Sequence, residues 1–290
     1  MILVTGATGT VGREVARQLA ARGPVRVLVR DPGRLAVTGP QLETVRGSYA
    51  DGAALDRALT GVTAAFLVTN HPSEPDDERF VRAARAAGLG HLVKLSAFAV
   101  GDPTATDFIT RRQRANEQLI RDSGLRWTFL RPRAFMANAL AWAGTVRAEG
   151  VVRAQHGGAP QAVIDPRDLA EVAVRVLTEP GHQGRSYQLT GPEPISAREQ
   201  TALLGSALGR PLRFEELTEQ QAREQLTRRY PAVLVEALLQ SAQQLAAGRK
   251  ARVDPTTEQL LGRRPTGFRQ WAVDHASAFA WDADREAWGA

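Results

Sequence analysis

A turn with three glycines near the start of the chain constrains this sequence more than any other feature. An apolar run, Ile2–Val4, comes first, and Gly6, Gly9 and Gly12 follow it at intervals of three residues. Apolar side chains at helical spacing come next, at Val11, Val15 and Leu19. A buried strand, a glycine turn and a helix in direct succession form the first half of a βαβ unit. The opening residues therefore predict a parallel sheet covered by helices.

Strands and helices continue to alternate through the first 130 residues. Five further strand-like runs are separated by helix-length stretches: Val25–Val29, Leu42–Val45, Ala64–Thr69, His91–Leu95 and Trp127–Leu130. Each crossover of this kind joins two parallel strands, so the pattern predicts an α/β fold with a Rossmann-type, doubly wound parallel sheet.

Beyond this region the chain becomes mainly helical. Its pattern predicts a helix from Pro166, a strand over 185–190, and helices over 196–208, 218–229, 231–247 and 267–280. We therefore expect a Rossmann domain over residues 1–150 and a smaller, mostly helical substrate-binding part over 151–280, interleaved with it. Residues 281–290 form an acidic, aromatic tail, for which disorder and packing on a neighbour both stay open.

Composition excludes several classes of protein. The 290 residues include no cysteine, which excludes disulfide frameworks, thiolate metal sites and cysteine nucleophiles. The scattered histidines have no ligand spacing, so we expect no metal. The start of the chain shows no secretory signal, and no apolar run approaches the roughly 18 residues that span a bilayer. These features predict a soluble, cytoplasmic protein that does not bind membranes.

The net charge of +6 belongs entirely to the first half of the chain. Residues 1–150 contain 20 Arg and Lys against 14 Asp and Glu, whereas the remainder contains 17 of each. Basic runs stop at pairs, and no zinc-finger or basic-zipper pattern occurs, so we expect no nucleic-acid partner. A positive first half also suits a phosphorylated small molecule.

The glycine turn, placed between a strand and a helix, predicts a dinucleotide site. Gly6 would form the tight turn, Gly9 would let the backbone approach a pyrophosphate, and Gly12 would let the helix pack closely on the strand. The second strand ends at Arg30, whose guanidinium suits the 2′-phosphate of NADP(H). NADP(H) is the preferred cofactor, and NAD(H) stays possible because Asp31 could turn inward.

Other candidate cofactor contacts lie in the same turn or at the ends of the strands. Asp51 is a candidate for the adenine amino group, although an aspartate that opens a helix is also a common cap. The full predicted set is Gly6, Thr8, Gly9, Thr10, Val11, Gly12, Arg30, Arg34, Asp51, Thr69, Asn70 and Pro132.

These residues resemble the NmrA-like branch of the atypical short-chain dehydrogenase/reductases. The resemblance rests on the glycine turn, Arg30, Leu130-Arg131-Pro132, Ile164 to Ala170, Thr190-Gly191-Pro192 and Leu261-Gly262-Arg263. It implies NADP(H) at the carboxyl ends of the strands and a C-terminal part that closes over a small-molecule substrate. The branch contains both NAD(P)H-dependent reductases of quinones and related compounds and redox-sensing regulators.

The sequence departs from the wider superfamily at its catalytic pair. No tyrosine is followed four residues later by lysine, and alignment of the helix places Ile109 and Gln113 at those positions. The pair normally supplies a proton to a carbonyl oxygen. We therefore expect a hydride acceptor that needs little acid assistance, such as a quinone or a conjugated enone.

Polar and aromatic residues near the strand ends supply the remaining candidates. His71 and Ser96 are the candidate catalytic residues, although His71 could only shape its loop and Ser96 could only hold a ligand. The predicted substrate pocket contains His71, Phe135, Met136, Asn138 and Trp142. The resulting hypothesis is an NADPH-dependent reductase of a conjugated or quinonoid compound. The alternative is a non-catalytic NADP(H)-sensing regulator that acts through a partner protein.

Overall fold

The computed structural model describes residues 1–280, and the predicted tail at 281–290 lies outside the described residues. Nine strands are described: β1 (Ile2–Thr5), β2 (Val25–Val29), β3 (Leu42–Arg46), β4 (Ala64–Leu67), β5 (His91–Leu95), β6 (Trp127–Pro132), β7 (Val151–Ala154), β8 (Arg185–Leu189) and β9 (Arg213–Glu216).

Eleven α-helices are described within the same residues: α1 (Thr10–Ala20), α2 (Gly52–Leu59), α3 (Asp76–Ala86), α4 (Phe108–Asp122), α5 (Ala143–Glu149), α6 (Pro166–Thr178), α7 (Ala197–Ala207), α8 (Glu219–Thr227), α9 (Ala232–Ala246), α10 (Thr256–Leu261) and α11 (Phe268–Asp274). Short 3₁₀ segments cover Pro32–Arg34, Phe98–Gly101, Met136–Trp142 and Ala276–Ala278. None of the helices in residues 1–280 is both long and apolar enough to cross a membrane.

Seven of the strands form one parallel sheet in the order β3-β2-β1-β4-β5-β6-β8. Helices α2, α3 and α4 cover one face, while α1 and α6 pack together on the other. The strand order reverses between β1 and β4, and such a switch point opens a crevice at the carboxyl ends of the strands. The predicted Rossmann sheet is confirmed.

Two compact units divide the chain. Among the described residues, the first comprises Met1–Pro132, Pro166–Leu189 and Gln259–Gly262, and the second comprises Arg133–Asp165, Thr190–Glu258 and residues 263–280. The first unit includes α6 and β8 in addition to the residues up to Pro132. The reason is pairing in the sheet, because β8 extends it beyond β6.

The second unit differs from the predicted helical part in two places. Strands β7 and β9 form a small parallel sheet that the helical interpretation of this region missed. The helix predicted over 267–280 stops at Asp274 and continues as a separate 3₁₀ turn. Trp271, Phe268 and Phe279 are buried there in the core of this unit.

A buried histidine lies at the amino edge of the main sheet, opposite the crevice. The His91 side chain is 6% exposed, and its Nε2 lies 2.9 Å from the Thr128 hydroxyl. That hydroxyl donates to the carbonyl of His182, so Nε2 of His91 is the donor of the pair. Burial, with the nearby charge of Arg126, lowers the pKa of His91 to about 4.

We expect the protein to lose stability in mild acid because of His91. Below pH 6.5, the ordinary pKa of histidine, His91 binds a proton in the unfolded chain, whereas in the folded chain it stays neutral until about pH 4. The free energy of unfolding therefore decreases as pH falls through this window. This effect lowers the free energy of unfolding by about 2 kcal/mol between pH 7 and pH 5. Urea unfolding at both pH values should show it in the wild type. In His91→Gln, which keeps an N–H donor, this part of the pH dependence should disappear, and an unchanged dependence would contradict the assignment.

Candidate active site

The glycine turn has the geometry that its three positions predict. Gly6 has a φ of 66°, a conformation that glycine adopts without strain. At Gly12 a Cβ atom would lie 2.3 Å from the carbonyl oxygen of Gly6, so α1 packs this closely only without a side chain there. At Gly9, among the described residues, a Cβ atom would approach only that same oxygen, at 3.3 Å. Gly6 and Gly12 therefore serve the fold, and Gly9 borders open space.

The amino end of α1 is uncapped. Its N-cap residue is Gly9, and the first turn contains no acidic residue and receives no side-chain cap from the described chain. Thr8, Gly9 and Thr10 are exposed. The amides of a first helical turn have no acceptor within the helix and carry partial positive charge. This helix end therefore fits the pyrophosphate of a dinucleotide.

Two exposed arginines follow β2. Within residues 1–280, the guanidinium groups of Arg30 and Arg34 take part in no hydrogen bond or ion pair. Asp31, in contrast, is engaged in its own loop, where its carboxylate accepts a hydrogen bond from the Gly33 amide at 3.0 Å. Asp31, which would favour NAD(H), is thus hydrogen-bonded within its own loop, whereas the guanidinium groups that suit a 2′-phosphate are available.

Asp51, the candidate for the adenine, acts as a helix cap. Its carboxylate accepts a hydrogen bond from the Ala54 amide at 3.0 Å and starts α2. The capping alternative therefore accounts for this residue.

Thr69, at the carboxyl end of β4, belongs to a buried polar network. Its hydroxyl donates to Asp77 Oδ2 at 2.6 Å and accepts from Lys94 Nζ at 2.6 Å. Lys94 Nζ also lies 3.1 Å from Asp77 Oδ1, and Asn116 donates to the same carboxylate. Burial lowers the pKa of Lys94, and the Asp77 carboxylate opposes that shift. The hydroxyl of Thr69 is therefore occupied, which leaves its backbone for a cofactor.

Ser96, just beyond β5, belongs to a second buried network. Its hydroxyl donates to Glu117 Oε1 at 2.7 Å. The Glu117 side chain is fully buried and also accepts hydrogen bonds from the guanidinium groups of Arg131 and Arg121. Because the proton of Ser96 points to a carboxylate, this hydroxyl is poorly placed to protonate a substrate.

His71 lies in the exposed loop between β4 and α3, next to exposed Asn70. Its Nδ1 accepts hydrogen bonds from the Glu74 amide at 3.1 Å and the Ser73 amide at 3.4 Å. These bonds assign the ring proton to Nε2. His71 thus shapes its loop through one nitrogen and presents an N–H donor through the other.

The two helix positions that replace the usual catalytic pair provide no acid. Ile109 is apolar, and Gln113 has a side-chain oxygen that is buried without a hydrogen-bond partner in the described chain. One turn later on the same helix face, Asn116 and Glu117 join the two networks. Within residues 1–280 no three His, Asp or Glu side chains meet in a way that could hold a metal ion.

The pocket residues predicted after β6 lie in different environments. Pro132, a predicted cofactor contact, is buried as the last residue of β6. Met136 is 2% exposed and belongs to the core of the second unit, which leaves it no surface for a ligand. Phe135 and Trp142 are half-buried and Asn138 is exposed. These last three stay candidates for substrate contacts.

The buried ions behind the strand ends were not predicted from the sequence. Lys94 stands in the otherwise apolar run Leu92 to Leu95 and is one of two lysines in the chain, the other being Lys250. A lysine in a buried strand needs a partner, so it could have been noticed. Asp77 could not have been noticed in this way, because acidic residues are common in the first turn of a helix.

Comparison with known proteins agrees with this geometry. A family model described as NAD(P)H-binding matches residues 6–180. The chain belongs to this NAD(P)H-binding family. The predicted membership of an NAD(P)H-binding family is thereby confirmed.

Proteins similar to this chain include reductases. The chain is 61% identical over 280 residues to the (4-alkanoyl-5-oxo-2,5-dihydrofuran-3-yl)methyl phosphate reductase of Streptomyces griseus, covering 97% of this chain and 99% of the relative. It is 35% identical to the NAD(P)H azoreductase of Xenophilus azovorans, covering 96% and 99%. A quinone oxidoreductase of Escherichia coli, solved with NADPH, superimposes with a TM-score of 0.81 at 27% identity, covering 94% of this chain and 99% of that chain.

As a member of the NAD(P)H-binding family with these relatives, the chain is an NAD(P)H-dependent reductase. Its cofactor is the dinucleotide that the glycine turn predicts, and its substrate is a small molecule. Of the two functions that the sequence leaves open, the relatives support the reductase over the regulator.

Proposed function

We propose that this protein is an NADPH-dependent reductase of a conjugated dihydrofuranone that carries a phosphate ester. The observation that carries the proposal is the 61% identity over 97% of the chain to a reductase of such a compound. The excess positive charge of residues 1–150 suits a substrate with a phosphate group.

The chemistry of such a substrate fits the absence of an acid pair. Its ring C=C bond is conjugated with both the ring carbonyl and the alkanoyl carbonyl. Hydride addition at the carbon that bears the phosphate-carrying arm breaks the C=C π bond, and the electron pair spreads over two carbonyl oxygens as an enolate. A proton at the adjacent carbon completes the reduction, and the phosphate ester is unchanged. Because two carbonyls share the charge, little acid assistance is needed.

The residues of the first unit have separate roles in this proposal. The uncapped end of α1 binds the pyrophosphate, and Arg30 binds the 2′-phosphate. The bound cofactor supplies the hydride. His71 donates a hydrogen bond from Nε2 to the carbonyl oxygen on which charge develops, and the enolate carbon takes its proton from water.

The test is NADPH oxidation with a chosen set of acceptors. A synthetic alkanoyl-dihydrofuranone phosphate, its dephosphorylated alcohol, menadione and an azo dye would each be mixed with enzyme and NADPH. We expect the phosphate compound to have the highest kcat/KM and the alcohol to lose at least about tenfold, because a charge-assisted hydrogen bond is lost.

Product analysis must show reduction of the C=C bond with the ester intact. Faster turnover of menadione or the dye would transfer the assignment to that class of acceptor. Absence of turnover with every acceptor would contradict reductase function and favour the regulator.

A further inference from the structure

The loop that carries His71 is fastened at both ends by a buried lysine. The loop runs from Thr69, after β4, to Asp77 in the first turn of α3. Lys94 Nζ contacts both residues, at 2.6 Å from the Thr69 hydroxyl and 3.1 Å from the Asp77 carboxylate. Burial of an ion pair contributes little to net stability. Its clearest consequence here is a fixed distance between the two ends of the loop.

A second cation fastens the middle of the same loop. Arg112, in the first part of α4, donates through Nη1 to the carbonyl of Pro72 and through Nη2 to the carbonyl of Glu74 at 2.6 Å. The amide of Glu74 in turn donates to His71 Nδ1 at 3.1 Å. Arg112 forms no ion pair in the described chain, so two backbone carbonyls are what its guanidinium binds. A planar fork suits this bridge better than the single point of an ammonium group.

We propose that Arg112 is a positioning residue of the reductase: by bridging the Pro72 and Glu74 carbonyls it holds the Glu74 amide on His71 Nδ1, and thereby keeps the Nε2–H donor in one orientation during reduction. This inference rests on the proposed function, in which that donor meets the substrate carbonyl. It gives Arg112 a role through His71 and not through contact with substrate.

The variant that tests the proposal is Arg112→Met, with Arg111→Met as its matched control. Arg111 is the preceding residue, and its exposed side chain takes part in no hydrogen bond or ion pair in the described chain. Its loss therefore changes the net charge equally and leaves the loop bridge intact. Arg112→Met should lower kcat by roughly tenfold with an unchanged Kd for NADPH, because only the donor is displaced. Arg112→Lys should recover part of kcat, since an ammonium group can still reach one carbonyl.

A double variant separates positioning from a merely structural role. If Arg112 acts through His71, Arg112→Met combined with His71→Phe should be no slower than His71→Phe alone, because the donor that Arg112 positions is already gone. The proposal would be overturned if the double variant lost kcat by the product of the two single losses, or if Arg112→Met kept the wild-type kcat.

Hydrogen–deuterium exchange supplies a measurement that is independent of turnover. Peptides covering residues 69–77 should exchange faster in Arg112→Met and at the wild-type rate in Arg111→Met. Unchanged exchange in Arg112→Met would overturn the proposal even if kcat fell. Failure of the proposed function is distinguishable, because it would appear in the wild type as absence of NADPH oxidation with every acceptor.

Discussion

Replacement of Gly9 by valine should abolish NADPH binding while the protein stays folded. Gly9 has an extended backbone with φ of −96° and ψ of 176°, which valine adopts readily. Its Cβ atom would need a shift of only a few tenths of an ångström against the Gly6 oxygen, which lies 3.3 Å away. The isopropyl group would then occupy the space in front of the uncapped helix end, where a pyrophosphate must lie.

Thermal unfolding with and without saturating NADPH measures this effect. Ligand at about 100 times its Kd stabilises the wild type by about 2.7 kcal/mol, and Gly9→Val should show no such gain. Gly23→Val is the control, because no atom of the described chain lies within 4 Å of its Cβ position, at the opposite end of α1. A Gly9→Val protein with the full NADPH-dependent shift would contradict the dinucleotide site.

Replacement of Arg30 by alanine should weaken NADP(H) binding by about 1.5–3 kcal/mol and leave NAD(H) binding nearly unchanged. The guanidinium is exposed and has no partner in the described chain, so its removal breaks no contact of the fold. The neighbouring Asp31 carboxylate is held by the Gly33 amide, and it should therefore not take over the cofactor.

Titration of both cofactors into wild type, Arg30→Ala and Arg22→Ala tests this specificity. Arg22 is exposed and lies beyond the far end of α1, so its loss changes the net charge equally at a distance from the site. Arg22→Ala should bind both cofactors as the wild type does. Equal losses of NADP(H) and NAD(H) in Arg30→Ala would show that this arginine supports the loop and not the phosphate.

The sequence predicted the first unit well because its signals are local. An apolar run followed by Gly6, Gly9 and Gly12 specifies a strand, a turn and a helix within a dozen residues. The positive φ of Gly6 and the close approach at Gly12 follow from the same short segment. Periodicity also located β2 to β6 and β8 to within a few residues. Because crossovers between parallel strands are almost always right-handed, few sheet topologies were then compatible with these elements.

Predictions failed where a residue's role depends on partners far along the chain. The sequence indicated α6 and β8 and an interleaved second part, but it did not show which elements join the first sheet, because that is decided by pairing such as β6 with β8. Strands β7 and β9 pair only with each other, across about sixty residues, so neither had a local signal strong enough to notice.

The residues of the candidate site also fall into those that the sequence predicted and those whose role depends on distant partners. The turn, Arg30 and the missing catalytic pair are properties of the sequence, and they determined the cofactor and the kind of acceptor to expect. Only the tertiary structure decided that the hydroxyls of Thr69 and Ser96 are hydrogen-bonded to buried charged side chains. It also decided that Met136 belongs to a core and that Arg112 holds the His71 loop. The physical reason is that backbone conformation is set by neighbouring residues, whereas burial and hydrogen-bond partners are set by segments that meet only after folding.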